Sequence, residues 1–176
     1  VCFFDIEVDF DSARGYADPS NPFAKITAIT LGLDWIDKLI TFVIAPKGLT
    51  REQSIEICNK FEDTIHCDSE EELLNNFLAM IQDADILSGW NSEGFDIPYT
   101  VNRVAMLLGK ERTREFCLWQ KYPIKREYES YGRLQETYDL VGRVHLDYLQ
   151  MYRKNTYHKH HSYRLDFIGE VEIGEN

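Results

Sequence analysis

The chain has 176 residues, a hydrophobic fraction of 44% and a formal net charge of -11 at pH 7. This length suits one packed domain, and the many apolar and aromatic side chains exclude a disordered chain because their burial can offset the entropy of ordering. No segment approaches the roughly 20 consecutive apolar residues of a transmembrane helix, and the N-terminus lacks the basic and apolar regions of a signal peptide.

Cysteine spacing argues against a cross-linked or zinc-bound scaffold. The four cysteines are spread along the chain without a Cys-x-x-Cys pair: Cys2, Cys58, Cys67 and Cys117. Neither a disulfide framework nor a zinc knuckle is indicated. A reducing cytoplasm is therefore the expected setting.

Charge is distributed unevenly along the chain. Residues 1–100 contain 6 Lys/Arg and 19 Asp/Glu, whereas residues 101–176 contain 13 and 11. Proteins that bind nucleic acids usually have a basic surface, and the net charge of this chain is acidic. That net charge conceals the difference between the two parts of the chain. We therefore expect the acidic part and the mildly basic part to have different roles.

The first third of the chain predicts three β-strands. Residues 2–10 alternate between apolar and polar side chains, which is the period of a strand. Turn-forming residues cluster at 14–22, and two apolar segments follow at 24–33 and 38–46. We expect these three strands to form a meander.

The middle of the chain predicts two helices around a short strand. Ser69 and Glu72 have the spacing of a capping box. Apolar residues behind them share one helical face: Leu73, Leu74, Phe77, Leu78 and Ile81. The segment ILSGW has the composition of a buried strand. After the loop Asn91–Asp96, Pro98 can open a second helix that ends at Gly109.

The last third begins with a basic and aromatic segment at 121–140. This segment is centred on Tyr131-Gly132 and predicts a solvent-exposed β-hairpin. A strand in GRVHLDY and helices in QMYRK and SYRLDFIGEV follow. Strands that alternate with helices in this order predict an α/β fold in which a mixed β-sheet is flanked by helices and carries a protruding hairpin.

Two acidic residues on the first strand are the strongest chemical signal. Asp5 and Glu7 leave the same face roughly 6.6 Å apart, and they repel each other unless a cation lies between them. Mg²⁺ and Mn²⁺ prefer oxygen ligands, and pairs of such ions recur in phosphodiester hydrolysis. The alternative is the solvated face of an edge strand. Phe3, Phe4 and Ile6 argue against that alternative because they suggest burial on both faces.

A second polar segment, Asn91-Ser92-Glu93-Gly94-Phe95-Asp96, lies between a strand and a helix. Ligands of open α/β sheets usually bind at this position. Asp96 is a candidate for a further metal carboxylate, and its alternative role is to cap the following helix. The alternatives for Asn91 and Phe95 are a turn amide and a core aromatic.

The combination of these segments resembles a known family. Asp5-Ile6-Glu7 is similar to the first exonuclease motif of family B DNA polymerases, and Asn91-x-x-x-Phe95-Asp96 is similar to the second. The segments SGWNSEGFDIPYTVNR, HLDY before MYRK, and SYRLDFIGE, together with the hairpin, resemble the polymerases of T-even-type bacteriophages in the same order. The resemblance covers nearly the whole chain and implies a ribonuclease H-like exonuclease fold over residues 1–176.

The resemblance implies a proofreading 3′-to-5′ exonuclease that uses two divalent ions, Mg²⁺ or Mn²⁺. Asp5 would bridge both ions, and Glu7 and Asp96 would each help to hold one. Asn91 and Phe95 would contact the terminal nucleotides, Phe95 by stacking. The hairpin would help to separate the primer from its template. The expected partners are the 3′ end of single-stranded DNA and the rest of the polymerase, in the cytoplasm of a host cell if a phage encodes it.

The third motif of the family, Tyr-x-x-x-Asp, is missing from the sequence. Tyr163 and Asp166 come closest, but they are three residues apart. We therefore expect the chain to be a fragment that lacks this motif. One alternative is a standalone exonuclease that uses His161 and Asp166, a spacing found in a related branch. Another is a non-catalytic fragment that binds DNA or a partner chain. Asp147 is a candidate for the metal site or for a helix cap.

Overall fold

We analysed a computed structural model, which describes residues 1–130 and 132–174. The predicted hairpin turn includes Tyr131, which lies outside these residues. The strands are Cys2–Val8 (β1), Ile26–Leu33 (β2), Lys38–Ile44 (β3), Thr64–Cys67 (β4), Ile86–Gly89 (β5), Ile124–Ser130 (β6), Arg133–Asp139 (β7) and Val144–Asp147 (β8). The α-helices are Arg51–Cys58 (α1), Glu70–Met80 (α2), Asp96–Leu107 (α3), Tyr148–Asn155 (α4) and Leu165–Ile173 (α5). Segments of 3₁₀ helix span Ile81–Asp83 and Lys110–Phe116.

Six strands form one mixed sheet in the order β4-β3-β2-β1-β5-β8. The strands β1, β2 and β3 are antiparallel neighbours, as the predicted meander requires. The pairs β3–β4, β1–β5 and β5–β8 are parallel. The predicted α/β architecture with a mixed sheet is confirmed.

The core lies on one face of this sheet, where α2 packs. Phe4 of β1 contacts Phe77 of α2, and their ring centroids are 5.6 Å apart. The predicted apolar stripe of this helix is fully buried: Leu73, Leu74, Phe77, Leu78 and Ile81 are each 0% exposed. Ser69 accepts a hydrogen bond from the Glu72 amide at 3.1 Å, whereas the Glu72 side chain accepts from Asp68 rather than from Ser69. Only one half of the predicted capping box therefore forms.

The opposite face of the sheet corrects the expectation of burial on both sides of β1. Phe3 is 48% exposed, and the side chains of Asp5 and Glu7 also face solvent. The alternative, the solvated face of an edge strand, is correct about the solvated face and wrong about the edge, because β1 lies between β2 and β5. From β1 the core takes Cys2, Phe4 and Ile6, so the face that carries Asp5 and Glu7 stays accessible to solvent.

A buried ion pair holds α3 against α2 and the segment before β2. Arg103 pairs with Glu70 through two hydrogen bonds, and both side chains are at most 5% exposed. Glu70 also accepts from the Ile26 amide at 2.9 Å, and Arg103 donates to the carbonyl of Pro22 at 3.0 Å. Full pairing is what makes burial of these charges tolerable.

The hairpin β6–β7 forms a separate two-stranded sheet, as predicted for residues 121–140. Gly132 has a φ of 70°, a conformation that glycine adopts without strain. Arg126 of β6 pairs with Glu93 at 2.7 Å and with Asp139 at 3.0 Å. The hairpin is therefore attached to the loop that precedes α3.

None of the helices in the described ranges 1–130 and 132–174 combines the length and apolarity that a membrane crossing needs.

Candidate exonuclease site

The open face of β1 presents the first two candidate carboxylates. Asp5 lies opposite Thr30 and Glu7 opposite Ala28 in the antiparallel register with β2. Both acidic side chains project from this face because side chains alternate along a strand. The Glu7 carbonyl also accepts a hydrogen bond from the Thr27 hydroxyl at 3.1 Å, which fixes the end of β1 against β2.

The segment that follows β5 brings the third candidate carboxylate, Asp96, close to β1. A Cβ at Gly89 would lie 2.6 Å from the carbonyl oxygen of Phe4, so glycine permits this close approach of β5 to β1. The amide of Ile6, beyond the part of β1 that pairs with β5, donates to Asp96 Oδ1 at 3.2 Å. This bond places Asp96 at the backbone of β1 between Asp5 and Glu7, close enough for the charge of Asp5 to act on it.

Asp96 and Asp5 lie in an environment that disfavours their negative charges. Burial, with added repulsion from Asp5 and Asp147, raises the pKa of Asp96 to about 7, although the Ile6 amide opposes the shift. Partial burial and the charge of Glu7 also raise the pKa of Asp5. In the described ranges, no lysine or arginine forms an ion pair with any of the three candidate carboxylates, because the cations pair with other carboxylates such as Asp9, Glu93 and Asp139.

These properties fit a site for hard divalent cations. Carboxylate oxygens are the ligands that Mg²⁺ and Mn²⁺ prefer, and a cation would offset the burial and repulsion that raise the pKa values of Asp96 and Asp5. Within residues 1–130 and 132–174, no group of three His, Cys, Asp or Glu side chains is close enough to hold one ion. Asp5 and Glu7 are exposed, so their side chains are free to turn toward an ion beside Asp96.

The loop before α3 forms a turn at Asn91, in line with the alternative prediction that this residue has a role in a turn. Asn91 has a φ of 61°, and its carbonyl accepts from the amides of Gly94 and Phe95 at 3.0 Å each. A Cβ at Gly94 would lie 2.9 Å from Asn91 Oδ1, so glycine leaves room for the amide side chain. The Asn91 side chain is exposed beside the site.

Phe95 has mainly a packing role in the structure. Its ring is half-buried against the core, and its centroid lies 5.2 Å from that of Tyr99. The Tyr99 hydroxyl in turn donates to the carbonyl of Ala24 at 2.8 Å. Phe95 therefore orients the start of α3, and only part of the ring is free to meet a ligand.

A model of the exonuclease domain of DNA polymerase family B matches residues 1–168. The chain belongs to this family.

The curated relatives are viral polymerases. The DNA-directed DNA polymerase of Escherichia phage RB69 is 33% identical over 192 residues, which cover 98% of this chain and 21% of the relative. That of Enterobacteria phage T4 is 33% identical and covers 60% of this chain and 12% of its own length. The DNA polymerase catalytic subunit of Equine herpesvirus 2 (strain 86/87) is 28% identical over 66% of this chain and 12% of its own length. The chain thus spans at most about a fifth of these relatives.

In this family B exonuclease domain, Asp147 caps the N-terminus of α4, which is one of the two roles predicted for it. Its Oδ1 accepts from the Gln150 amide at 3.2 Å at the start of α4, and its Oδ2 accepts from the Glu93 amide at 2.9 Å. The second bond links α4 to the loop before α3 and brings a further negative charge near Asp96. The sequence pattern gave no signal for this link, since the partners are 54 residues apart.

His161 and Asp166, the pair of the standalone alternative, make local contacts in the exonuclease domain. Asp166 pairs with Arg164 at 3.1 Å in the first turn of α5. The ring of His161 packs on Phe167 with centroids 4.3 Å apart. These contacts connect α5 to the segment before it. Neither contact involves Asp96 or the acids of β1.

Two exposed aromatic residues just beyond Glu7 were missed from the sequence. Phe10 is 50% exposed and Tyr16 is 87% exposed, and their ring centroids lie 4.9 Å apart. They border a turn in which Asp11 accepts hydrogen bonds from the amides of Ala13 and Arg14. Large aromatic residues among turn formers were the available signal.

Proposed function

We propose that this exonuclease domain hydrolyses the 3′-terminal phosphodiester of single-stranded or frayed DNA with two divalent ions, Mg²⁺ or Mn²⁺, as the proofreading part of a DNA polymerase. Asp5, Glu7 and Asp96 would hold the ions, and Asn91 and Phe95 would contact the terminal nucleotides. The proposal assigns a ribonuclease H-like fold to the six-stranded sheet. The rest of the polymerase is the proposed partner.

The observation that carries the proposal is the hydrogen bond from Ile6 to Asp96 Oδ1. It brings an acid from α3 to the strand that already presents Asp5 and Glu7, although 90 residues separate the bonded pair. Repulsion among acids without a protein cation has a cost that folding alone does not explain. A cluster of this kind is expected where bound ions complete the charge balance.

The roles of the chain's own residues follow from their placement. Asp96 is fixed through Oδ1, so its second carboxylate oxygen remains available as a ligand. Asp5 and Glu7 lie on the solvent side of β1, where a DNA strand can approach. When bound, the ions would lower the pKa of a water molecule and stabilise the leaving 3′ oxygen. The exposed Asn91 amide and the exposed aromatic rings of Phe10 and Tyr16 would offer polar and stacking contacts to nucleotides.

Stepwise shortening of a 5′-labelled single-stranded oligonucleotide in Mn²⁺ tests the proposal. The wild-type chain is compared with Asp5→Ala, Asp96→Asn and Asp166→Ala, and with Glu56→Gln as a charge-matched control on the exposed side of α1. We expect shortening by the wild type, the control and Asp166→Ala, and none by the two site variants.

Other outcomes would favour one of the alternative functions or overturn the proposed site. Shortening lost in both Asp5→Ala and Asp166→Ala would favour the standalone enzyme that uses His161 and Asp166. No shortening by the wild-type chain, with DNA binding retained, would favour a binding fragment. Full activity in Asp5→Ala would overturn the proposed site.

A further inference from the structure

A pocket beside the end of β1 contains several of the basic residues of the acidic part of the chain, residues 1–100. Its volume is about 450 Å³, within the range of roughly 300–1,000 Å³ that is usual for small-ligand sites. The segment after β1, the segment before β2 and the segment after β3 form its walls. Arg14, Lys25 and Lys47 line it. They are three of only six lysines and arginines in residues 1–100.

The pocket wall also contains two acids, Asp9 and Asp11, and each has a hydrogen-bonding or ion-pair partner. Asp9 pairs with Lys47 at 3.0 Å across the mouth of the pocket. Asp11 accepts from the amides of Ala13 and Arg14 at 2.8 and 3.1 Å. Asp9 thus has a cationic partner, whereas Asp11 keeps its negative charge but forms no ion pair with Arg14 or Lys25 in the described part of the chain.

The other two cations are available for an external anion. The guanidinium of Arg14 lies 3.6 Å from the centroid of the Phe23 ring, which orients it without neutralising it. In the described part of the chain, no carboxylate forms an ion pair with Arg14 or with the exposed Lys25. The pocket therefore offers two positive charges, of which that of Arg14 is oriented by Phe23, and a half-exposed aromatic ring from Phe10.

The pocket lies next to the proposed catalytic face. Asp9, in its wall, follows Glu7 by two residues, which is roughly 6.6 Å along an extended strand. This distance is comparable with the separation of neighbouring phosphates in an extended single strand. A strand whose 3′ end lies at Glu7 can reach the pocket with an adjacent nucleotide.

We propose that the pocket lined by Arg14, Lys25 and Lys47 binds the phosphate of a nucleotide next to the scissile position, as a second anion site that needs no metal ion. The inference rests on the proposed exonuclease function and adds where the DNA backbone is held. The same chemistry suits a free nucleoside 5′-monophosphate, the product of each cleavage. The acidic part of the chain would thus bind phosphate through the two or three basic side chains that line this pocket.

Salt dependence of DNA binding tests the proposal without cleavage. A fluorescent oligothymidylate is titrated with the chain in EDTA at several salt concentrations, and anisotropy gives the affinity. Each phosphate that the protein neutralises on single-stranded DNA contributes about 0.7 to the slope of log K against log salt, so Arg14→Gln/Lys25→Gln, which removes the site for one phosphate, should reduce that slope by about 0.7. Lys38→Gln/Lys60→Gln removes the same charge from residues that pair with Asp63 and Glu56 elsewhere. This control should keep the wild-type slope.

Further arms identify the source of the phosphate and protect the result against misfolding. Arg14→Lys/Lys25→Arg keeps both charges and should restore the slope. Competition by thymidine 5′-monophosphate that weakens in Arg14→Gln/Lys25→Gln would support a site that also accepts the free product. Competition that is equally weak in both proteins would support a site for the strand alone. Equal slopes for the pocket and control variants would overturn the proposal.

The two proposals fail in different ways. Shortening of DNA that depends on Asp5, combined with an unchanged salt slope in the pocket variant, would overturn the pocket and leave the exonuclease function standing. Absence of shortening, combined with a reduced slope in the pocket variant only, would leave a DNA-binding pocket in a chain without the proposed activity.

Discussion

Replacing Asp96 with asparagine isolates the electrostatic cost of the candidate site. Asparagine keeps the shape of the side chain and an oxygen that can accept from the Ile6 amide, so the link to β1 survives. It removes a negative charge that is buried beside Asp5 and Asp147. We therefore expect the variant to be more stable than the wild type in the absence of metal.

The size and pH dependence of this gain follow from the pKa of Asp96. Burial and repulsion raise that pKa from its ordinary value of 3.8 to about 7. Between these values the unfolded chain releases its proton while the folded chain retains it, so wild-type stability falls as pH rises and levels off above about pH 7. At about 1.4 kcal/mol per pH unit, the cost reaches at most about 4 kcal/mol. Rearrangement of the exposed Asp5 side chain would reduce it.

Urea unfolding in EDTA at about pH 4 and about pH 8 measures the difference. We expect similar free energies of unfolding for the two proteins at about pH 4, where the Asp96 carboxyl is protonated in the folded chain. At about pH 8 the variant should be more stable by up to about 4 kcal/mol, with an unchanged dependence on urea. Mn²⁺ at 100 times its Kd should narrow this difference, since it stabilises the protein that binds it by about 2.7 kcal/mol.

A variant that is equally stable or less stable at about pH 8 would refute the electrostatic argument. It would mean that Asp96 is compensated in the folded chain by a group other than a bound cation. A stability gain of the same size at both pH values would point to packing instead of charge.

Three further predictions concern the elements that position the site. Gly89→Ala should lower the free energy of unfolding by about 1–3 kcal/mol, because its Cβ would lie 2.6 Å from the Phe4 carbonyl oxygen, and an unchanged urea midpoint would contradict the close approach. Arg103→Leu should cost about 3–5 kcal/mol in thermal or urea unfolding because it leaves Glu70 buried without its partner; a loss below about 1 kcal/mol would show that water compensates Glu70. Ser69→Ala should cost about 1 kcal/mol through loss of the α2 cap, measured in the same way, and no loss would argue that the Glu72 amide finds another acceptor.

Local periodicity explains which parts of the fold could be predicted from the sequence. The alternation of β1 and the stripe of α2 are set by residues within one element, so strand, helix and buried face follow from spacing. The helix α1 and the strand β4 were missed. Helix α1 buries only Ser54 and Cys58 and thus lacks an apolar stripe, and β4 has only four residues.

The arrangement of the candidate site depended on contacts that no local pattern contains. The motifs indicated Asp5, Glu7 and Asp96, but the bond between Ile6 and Asp96 joins residues 90 positions apart. The exposure of the acidic face of β1 was also unpredictable, because it depends on which side of the sheet the helices pack against. Flanking phenylalanines suggested two buried faces, yet Phe3 is half-exposed and Phe4 is buried.

Titration of Mn²⁺ into the chain, followed by the loss of the free-ion electron paramagnetic resonance signal, tests the central claim most directly. The wild-type chain should remove Mn²⁺ from solution, and Asp5→Ala should not do so while its far-ultraviolet circular dichroism and its stability in EDTA stay close to those of the wild type. Equal Mn²⁺ binding by Asp5→Ala and the wild type would contradict a metal site formed by Asp5, Glu7 and Asp96.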